Sequence, residues 1–292
     1  MASNDSGRVY HTQCTGDALK TVEAHQSDQD ITLFGSCFCP FVQRVWVAFE
    51  VLEIPYKYVE VDPYKKPKEL VELSPKGLVP ALKLNNYTPP RALNESTVIL
   101  EFLEDLAATS TKKTLLPLPF NPYARALARL AADHVSRNLV PTFYRYLQAQ
   151  DSSAQISAGK DFHGALEGFF GILERAENEV LGQGGVTGEG EAAMLRRGLG
   201  LWVEGSEELG WADVVAAPWL FRAEMVLTHY RGFQIPEGAK TKAYLERLFE
   251  HPKFKATCST EQLYLDSYER YAFNRPNTSM VATAINEGRA LP

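Results

Sequence analysis

The sequence predicts a two-domain protein in which a mixed α/β domain is followed by an all-helical domain. Its 292 residues exceed the length of one ordinary domain, and the apolar fraction of 45% is that of a globular chain. Short β-branched runs alternate with helical periodicity up to residue 108, whereas only helical periodicity follows residue 122. We therefore assign four segments: a polar, irregular extension at 1–28, an α/β domain at 29–108, a Pro-rich linker at 109–121 and a helical domain at 122–292.

The α/β domain begins with a strand that leads into a helix. Residues 31–34 form an apolar, β-branched run that ends at Gly35, which is typical of a strand followed by a loop. Apolar residues then recur at helical spacing from Cys39, and Pro40 is well tolerated in the first turn of a helix. The other predicted elements are a strand at 56–61, a helical turn at 67–73, a strand at 80–84, an edge strand at 91–93 and a helix at 96–106.

Helical periodicity continues through the second half of the chain. Helices are predicted at 123–150, 162–181, 211–231, 240–249 and 261–271. The first of them contains Pro141, where we expect an interruption or a kink. A Gly-rich insertion occupies 182–191, and we expect the tail after Pro276 to be loosely held.

Composition narrows the classes of function. A net charge of -6 with a pI near 5.6 offers no electrostatic basis for binding nucleic acid or an anionic membrane. No apolar run approaches the roughly 20 residues that span a bilayer, and the N-terminus does not resemble a secretory signal, so we expect no stable membrane insertion and a cytoplasmic location. Four cysteines form neither a disulfide framework nor, with histidines, a zinc site, so we expect reduced thiols and no metal.

The first chemical motif is Cys39-Pro40-Phe41 at a junction of strand and helix. Unpaired backbone N–H groups and the helix dipole at such a position lower the pKa of a thiol. An unperturbed thiol with a pKa of about 8.5 is only about 3% thiolate at pH 7, whereas a pKa near 6 makes it roughly 90% thiolate. The alternative is a small, partly buried apolar side chain with no chemical role.

Two further motifs follow the first one along the chain. In Gly77-Leu78-Val79-Pro80 the proline opens a strand, which a cis Val79-Pro80 bond explains and a trans proline at a sheet edge also allows. A cis bond exposes the backbone of Val79 for pairing with a peptide ligand. In Asn94-Glu95-Ser96 the polar side chains can cap the next helix, and the same groups can receive the ammonium and carboxylate of a ligand.

Together, the three motifs resemble those of the glutathione transferases, and the omega class most of all. The resemblance implies a thioredoxin-like N-terminal domain that binds glutathione and an all-helical C-terminal domain that carries the acceptor side, the part of the site that binds the second substrate. It also implies a homodimer. The match is dense in the first domain and thinner in the second, where Trp211-Ala212-Asp213 resembles the family's buried capping motif with Gly210 in place of Ser or Thr.

The resemblance also implies roles for single residues. Cys39 corresponds to the catalytic residue, and Pro80 to the structural cis-proline. The residues that correspond to glutathione contacts are Phe41, Lys66, Val79, Glu95 and Ser96. For Lys66 an ordinary solvated surface position remains the alternative. Cys37 and Ser36 lie in the same loop as Cys39, so the sequence leaves their contribution to catalysis open.

Several activities are compatible with these motifs. The leading hypothesis is Cys39-dependent thiol transfer, either deglutathionylation or reduction of a glutathionyl-ketone, with glutathione as the co-substrate. The alternatives are conjugation of glutathione to electrophiles, non-catalytic binding of hydrophobic or aromatic small molecules, and a relationship to chloride-intracellular-channel proteins, which share the Cys-Pro-Phe start. Tyr144 and Tyr244 are candidates for the acceptor side, although helical aromatic residues more often belong to the core.

Overall fold

The structure is a computed structural model that describes residues 10–117, 121–181 and 208–292. The first half contains α1 (Gly16–Ala24), β1 (Ile31–Gly35), α2 (Pro40–Leu52), β2 (Lys57–Glu60), α3 (Lys68–Leu73), β3 (Ala81–Leu84), β4 (Arg91–Asn94) and α4 (Ser96–Thr109). The second half contains α5 (Pro122–His134), α6 (Val140–Gln148), α7 (Ser152–Ala176), α8 (Trp211–Arg222), α9 (Thr228–Arg231), α10 (Ala239–Glu250), α11 (Pro252–Lys255), α12 (Glu261–Ala272) and α13 (Met280–Asn286). This architecture confirms the predicted fold class.

The four strands form one mixed sheet in the order β2-β1-β3-β4. Strand β1 is parallel to β2 and antiparallel to β3, and β3 is antiparallel to β4. Leu33 lies opposite Leu82 on the face that α2 covers, whereas Phe34 and Ala81 face Leu70 of α3. Because successive side chains of a strand point to opposite faces, a sheet covered on both sides buries both sets of side chains, and all five residues of β1 are buried.

Helix α1 corrects the prediction that the extension at 1–28 is irregular. Ala18 and Val22 are buried against the core, and the backbone N–H of Ala18 donates to the carbonyl of Cys258 at 3.0 Å. Thr21 Oγ1 donates to the carbonyl of Ala256 at 2.7 Å. A nine-residue helix is marginal by itself, so tertiary contacts that local periodicity does not reveal stabilise it.

The helix predicted at 123–150 is interrupted where the sequence places proline. Helix α5 passes into one π-helical segment, Val135–Leu139, and α6 continues from there with Pro141 in its first turn. A proline lacks the N–H that an α-helix needs at that position, and the wider π segment accommodates the loss. Helix α7 begins ten residues before the predicted Phe162, since the side chain of Asp151 accepts a hydrogen bond from the N–H of Ala154.

The C-terminal tail differs from its prediction. Residues after Pro276 form α13, which begins with the Ser279 hydroxyl accepting a hydrogen bond from the N–H of Ala282 at 3.0 Å. Gln148 of α6 donates to the carbonyl of Ala282 at 3.2 Å, and Ala282 and Ala284 are buried. The prediction of a loosely held tail is wrong for these residues, because their anchor lies more than a hundred residues earlier in the chain.

Some predictions concern residues that the structure does not describe. The insertion at 182–191 lies outside the described residues, as do 118–120 of the predicted linker. The four segment boundaries therefore stay a prediction. Within the described ranges, no helix combines the length and apolar character that crossing a bilayer requires.

Candidate active site

A cavity of about 740 Å³ lies between the α/β domain and the last helices of the chain. Its walls come from the loop before α2, the loop between α3 and β3, the start of α4, and α6, α12 and α13. It brings together these residues that the sequence predicted: Cys39, Phe41, Lys66, Val79, Pro80, Glu95, Ser96 and Tyr144. Motifs separated by up to about a hundred residues therefore meet at one site.

Cys39 occupies the N-cap position of α2, as the sequence predicts. Its side chain is partly buried and faces the cavity. The backbone N–H groups of Phe41 and Val42 are directed at the thiol, and the Sγ atom lies 3.9 Å from the carbonyl oxygen of Val79. These N–H groups at the helix end are the donors that a thiolate would accept from.

The pKa of Cys39 corrects one expectation. Burial raises the pKa of this thiol, and the opposing effects of the Val42 and Phe41 N–H groups, followed by the positive charges of Arg222 and Arg44, do not fully offset it. The helix end therefore lowers the pKa of the thiol, as predicted, but the rise caused by desolvation in the cavity wall is larger. The net shift is upward, not downward.

The neighbouring thiol of Cys37 is less suited to chemistry. Cys37 is buried, and its Sγ donates to the carbonyl of His11 at 3.2 Å. Burial raises the pKa of Cys37 to about 12. A group with this pKa is almost entirely protonated at neutral pH. Cys39 lines the cavity and Cys37 does not, so Cys39 is the more accessible thiol of the two. Ser36 lines the cavity with a buried hydroxyl that has no hydrogen-bond partner among the described residues.

The Val79-Pro80 bond is cis, as predicted from the position of the proline. It follows a tight turn in which Gly77 adopts a φ of +60°. A Cβ atom on Gly77 would approach Lys66 Cδ to 2.6 Å, so the Lys66 side chain would have to shift, and the left-handed backbone conformation itself favours glycine here. Lys66 packs over this turn, and its Nζ donates to the carbonyl of Lys76 at 3.1 Å. Its ammonium group thus lies at the cavity wall.

Glu95 and Ser96 stand at the start of α4 with different exposure. Glu95 is exposed and has a φ of 68°, while Ser96 is buried as the first residue of the helix. Ser96 Oγ accepts a hydrogen bond from Arg44 Nε at 3.0 Å. Neither side chain caps α4, so the capping alternative that the sequence allowed is not what the structure contains.

Several functional candidates were not predicted from the sequence. Tyr268 and Tyr271 of α12 and Met280 of α13 line the cavity beside Tyr144. Burial raises the pKa of the Tyr268 hydroxyl to about 12 and that of Tyr271 well above its ordinary value. The spacing of the two tyrosines by three residues places them on one helix face, but only the tertiary fold shows which face meets the cavity.

Tyr244 does not lie in the cavity, which corrects its prediction as an acceptor-side residue. Its hydroxyl is buried in the helical domain and donates to Asp213 Oδ1 at 2.9 Å. Asp213 Oδ2 also accepts from the backbone N–H of Gly210 at 2.9 Å, at the N-terminus of α8. Tyr244 therefore belongs to the buried capping motif of the helical domain. Across the described parts of the chain, no group of three potential ligands is placed to hold a metal ion.

Comparisons with known proteins agree with this architecture. Residues 33–111 match the family described as glutathione S-transferase, N-terminal domain. Glutathione transferase Omega 3C from Trametes versicolor superposes with a TM-score of 0.70 at 34% identity, covering 90% of this chain and 98% of that one. The pyrimidodiazepine synthase of Drosophila melanogaster is 26% identical over 87% of this chain and 91% of that protein. Glutathione S-transferase DHAR2 of Arabidopsis thaliana is 25% identical over 79% of this chain and 89% of that protein.

A thioredoxin-like domain, a following helical domain and a thiol at the cavity between them define a glutathione-dependent transferase. The chain belongs to the glutathione transferase family, with an omega-like resemblance. It is accordingly an enzyme that uses glutathione.

Proposed function

We propose that this enzyme catalyses thiol transfer on glutathione adducts, with Cys39 as the nucleophile. The observation that carries the proposal is the position of the Cys39 thiol, which stands at the N-cap position of α2, faces a cavity of about 740 Å³ and lies beside the N–H groups of Phe41 and Val42. Similarity to omega-class and DHAR-type proteins supports the same type of activity.

For a glutathionylated thiol, the reaction proceeds in two exchanges. The Cys39 thiolate attacks the glutathione sulfur of the mixed disulfide, a Cys39–glutathione disulfide forms, and the substrate leaves as a thiolate that takes up a proton. A second glutathione thiolate then attacks the glutathione sulfur bound to Cys39. Glutathione disulfide leaves, and Cys39 returns as the thiolate. Two glutathione molecules supply the sulfur atoms of the product disulfide, so no further reductant is needed.

A glutathionyl-ketone can enter the same cycle. Cys39 attacks the thioether sulfur, the sulfur–carbon bond breaks, and the carbon keeps the electron pair as an enolate, which must then be protonated. Tyr144, Tyr268 and Tyr271 line the cavity, and burial raises the pKa of the hydroxyl of each. They are therefore protonated at neutral pH and can donate hydrogen bonds to the developing enolate oxygen.

The remaining cavity residues supply a glutathione site of matching chemistry. We place the γ-glutamyl end at Glu95 and Ser96, where a carboxylate faces the ammonium and a hydroxyl faces the α-carboxylate. The cysteinyl part pairs with the backbone of Val79, and Phe41 packs beside it. Lys66 meets the glycine carboxylate at the far end of the tripeptide. This order leaves the glutathione sulfur beside Cys39.

A second candidate function is the binding of aromatic small molecules without turnover. The observation that favours it is the wall formed by Tyr144, Tyr268, Tyr271 and Met280, since aromatic and Met side chains suit apolar ligands. The same wall serves conjugation of glutathione to aromatic electrophiles. These alternatives need the cavity but not the Cys39 thiol.

The proposal is tested by trapping the mixed disulfide. The enzyme is incubated with glutathione disulfide, quenched with acid, and digested for mass spectrometry of the peptide that contains both Cys37 and Cys39. A Cys37→Ser variant is the matched control, and we expect it to carry one glutathione on Cys39. A Cys39→Ser variant should carry none. An adduct on Cys37 in the Cys39→Ser protein, with none on Cys39 in the Cys37→Ser protein, would refute the assignment.

A further inference from the structure

Two buried arginines lie near Cys39 without a carboxylate partner. Arg44 of α2 is 4% exposed and Arg222 of α8 is 1% exposed. Among the described residues, neither guanidinium forms an ion pair with an Asp or Glu side chain. A buried charge is costly unless a nearby anion or several hydrogen bonds compensate for it, and for these two cations the compensation comes from hydrogen bonds and not from a carboxylate.

Arg222 connects the helical domain to the loop that ends in Cys39. Its Nη2 donates to the carbonyl oxygen of Phe38 at 3.1 Å, and Phe38 directly precedes Cys39. Its Nη1 donates to Gln43 Oε1 of α2 at 2.6 Å and to the carbonyl of Pro218 at 2.8 Å. One side chain of α8 thus holds both the catalytic loop and the helix that follows it.

The surroundings of Arg222 preserve its charge and offer it no anion. The guanidinium lies 4.6 Å from the ring centre of Tyr264 and 5.8 Å from that of Tyr268, whose electron-rich faces favour a cation. Its Nε atom is buried and has no hydrogen-bond partner among the described residues. The guanidinium therefore keeps a positive charge whose field is little screened by water.

Arg44 and Arg222 contact different parts of the site. Arg44 Nε donates to the Ser96 hydroxyl, and the Arg44 guanidinium lies 5.2 Å from the ring centre of Phe41. Arg44 therefore contacts Ser96 at the proposed γ-glutamyl end of the site, while Arg222 contacts the carbonyl of Phe38, the residue before Cys39. Of the two positive charges that favour the Cys39 thiolate, Arg222 has the larger effect.

We propose that Arg222 is a positioning residue for the reaction at Cys39, because it fixes the loop through Phe38 and supplies the buried positive charge that balances the Cys39 thiolate. This inference rests on the proposed role of Cys39 as nucleophile. It also accounts for the missing carboxylate, since an Asp or Glu beside Arg222 would neutralise the charge that the thiolate needs.

The other titratable groups around Cys39 do not replace this charge. They are Cys37 on the same loop, Arg44 on α2, Tyr144 on α6, and Tyr268 and Tyr271 on α12. The pKa values of Cys37 and of the three tyrosines are all raised, so these groups are neutral at neutral pH. Among the described residues, Arg222 and Arg44 are the positive charges that favour the Cys39 thiolate most.

The test is the pH dependence of Cys39 alkylation by iodoacetamide, followed by mass spectrometry of the Cys39 peptide in a Cys37→Ser background. Arg222→Gln retains hydrogen-bond donors but removes the charge. We expect the midpoint of the plot of alkylation rate against pH to move up by about one pH unit, since a nearby opposite charge typically lowers a pKa by about 1–3 units. Below both midpoints, alkylation should then be about tenfold slower. Arg222→Lys keeps the charge but cannot reach all three acceptors, so its midpoint should stay near that of the parent while the limiting rate at high pH falls.

Arg44→Gln is the matched control, because it also removes a buried guanidinium. It should move the midpoint less than Arg222→Gln and should weaken glutathione binding more. An unchanged midpoint in a folded Arg222→Gln protein, or an equal shift in Arg44→Gln, would overturn the proposal. If Arg222→Gln does not fold, Arg222→Lys decides, since an upward shift of its midpoint contradicts the role of the charge. Alkylation of Cys39 needs no catalytic turnover. If the alkylation midpoint shifts in Arg222→Gln but the parent enzyme shows no thiol transfer, the role of Arg222 stands and only the proposed function is refuted.

Discussion

Arg44 Nε lies 3.0 Å from the hydroxyl oxygen of Ser96, so a buried cation of α2 donates a hydrogen bond to the first residue of α4. Because the oxygen accepts from arginine, the hydroxyl hydrogen of Ser96 is free to donate to an anion in the cavity. The pair also links α2, which follows Cys39, to α4, which begins at the proposed γ-glutamyl site. One contact thus serves both packing and recognition.

Ser96→Ala should destabilise the fold, because it leaves the buried Nε of Arg44 without its acceptor. An unsatisfied buried donor costs about 1–3 kcal/mol, and we expect the free energy of unfolding in urea to fall by this amount. Thr97→Ala is the matched control, since Thr97 is the next residue of the same helix and is exposed. Equal effects of the two substitutions would show that the contact with Arg44 contributes nothing.

The site was predictable from the sequence wherever its chemistry lies in short contiguous motifs. The thiol before Pro40, the proline after Val79 and the pair Glu95-Ser96 each carry a local signal, because helix ends and strand starts constrain neighbouring residues. These motifs come together in one cavity because the strands that carry them are adjacent in the sheet.

The contribution of distant residues could not be predicted in the same way. Arg44 and Arg222 sit in apolar helical stretches, and only the packing of α8 against α2 shows that both approach Cys39. Helices α1 and α13 are short, and their anchors, Cys258 and Gln148, lie far away in sequence. Periodicity reports local conformation and one buried face, but it does not identify the partner of that face.

Glu95→Ala should weaken glutathione binding measured by calorimetry. A charged hydrogen bond contributes roughly 1.5–3 kcal/mol, and the exposure of Glu95 places the expected loss at the lower end of this range, about tenfold in affinity. Asp105→Ala is the control, because Asp105 is an exposed carboxylate of the same helix that does not line the cavity. Unchanged affinity in the Glu95 variant would contradict the proposed placement of the γ-glutamyl end at Glu95.

Tyr244→Phe should lower stability without changing thiol transfer. The substitution removes the 2.9 Å hydrogen bond to the buried carboxylate of Asp213, which contributes about 1.5–3 kcal/mol to the free energy of unfolding. Tyr144→Phe, in the cavity wall, should instead change the KM or kcat for the acceptor. Urea unfolding and steady-state kinetics of both variants test this contrast, and a kinetic defect in a folded Tyr244→Phe protein contradicts the assignment of Tyr244 to the core.

The family resemblance predicts a homodimer, and exposed apolar side chains indicate where it would form. Val98 on α4 and Tyr123 and Leu130 on α5 are each exposed by more than two fifths of their surface. Leu130→Asp should therefore yield monomers at micromolar concentration in light scattering. Ile156→Asp, at an exposed position of α7, serves as the control and should leave the dimer intact. A monomeric wild-type protein under these conditions contradicts the prediction.

Cys39→Ser should separate the two chemistries that the fold supports. A serine hydroxyl cannot take part in thiol–disulfide exchange, so mixed-disulfide reduction should be lost. The hydroxyl can still donate a hydrogen bond to the thiolate of bound glutathione from the same helix end, so conjugation to an electrophile should be retained or increased. Cys37→Ser should keep thiol transfer, because the Cys37 thiol is buried and its pKa is raised to about 12.

Both activities are measured on both variants to make the comparison decisive. Reduction of a glutathionylated peptide reports thiol transfer, and conjugation of an aromatic electrophile reports the second activity at the same glutathione concentration. Loss of both activities in a Cys39→Ser protein that still binds glutathione would show that the thiol is needed for more than exchange. Retained disulfide reduction in that variant would show that another residue is the nucleophile. Cys37 would be the first candidate, because it lies two residues away on the same loop.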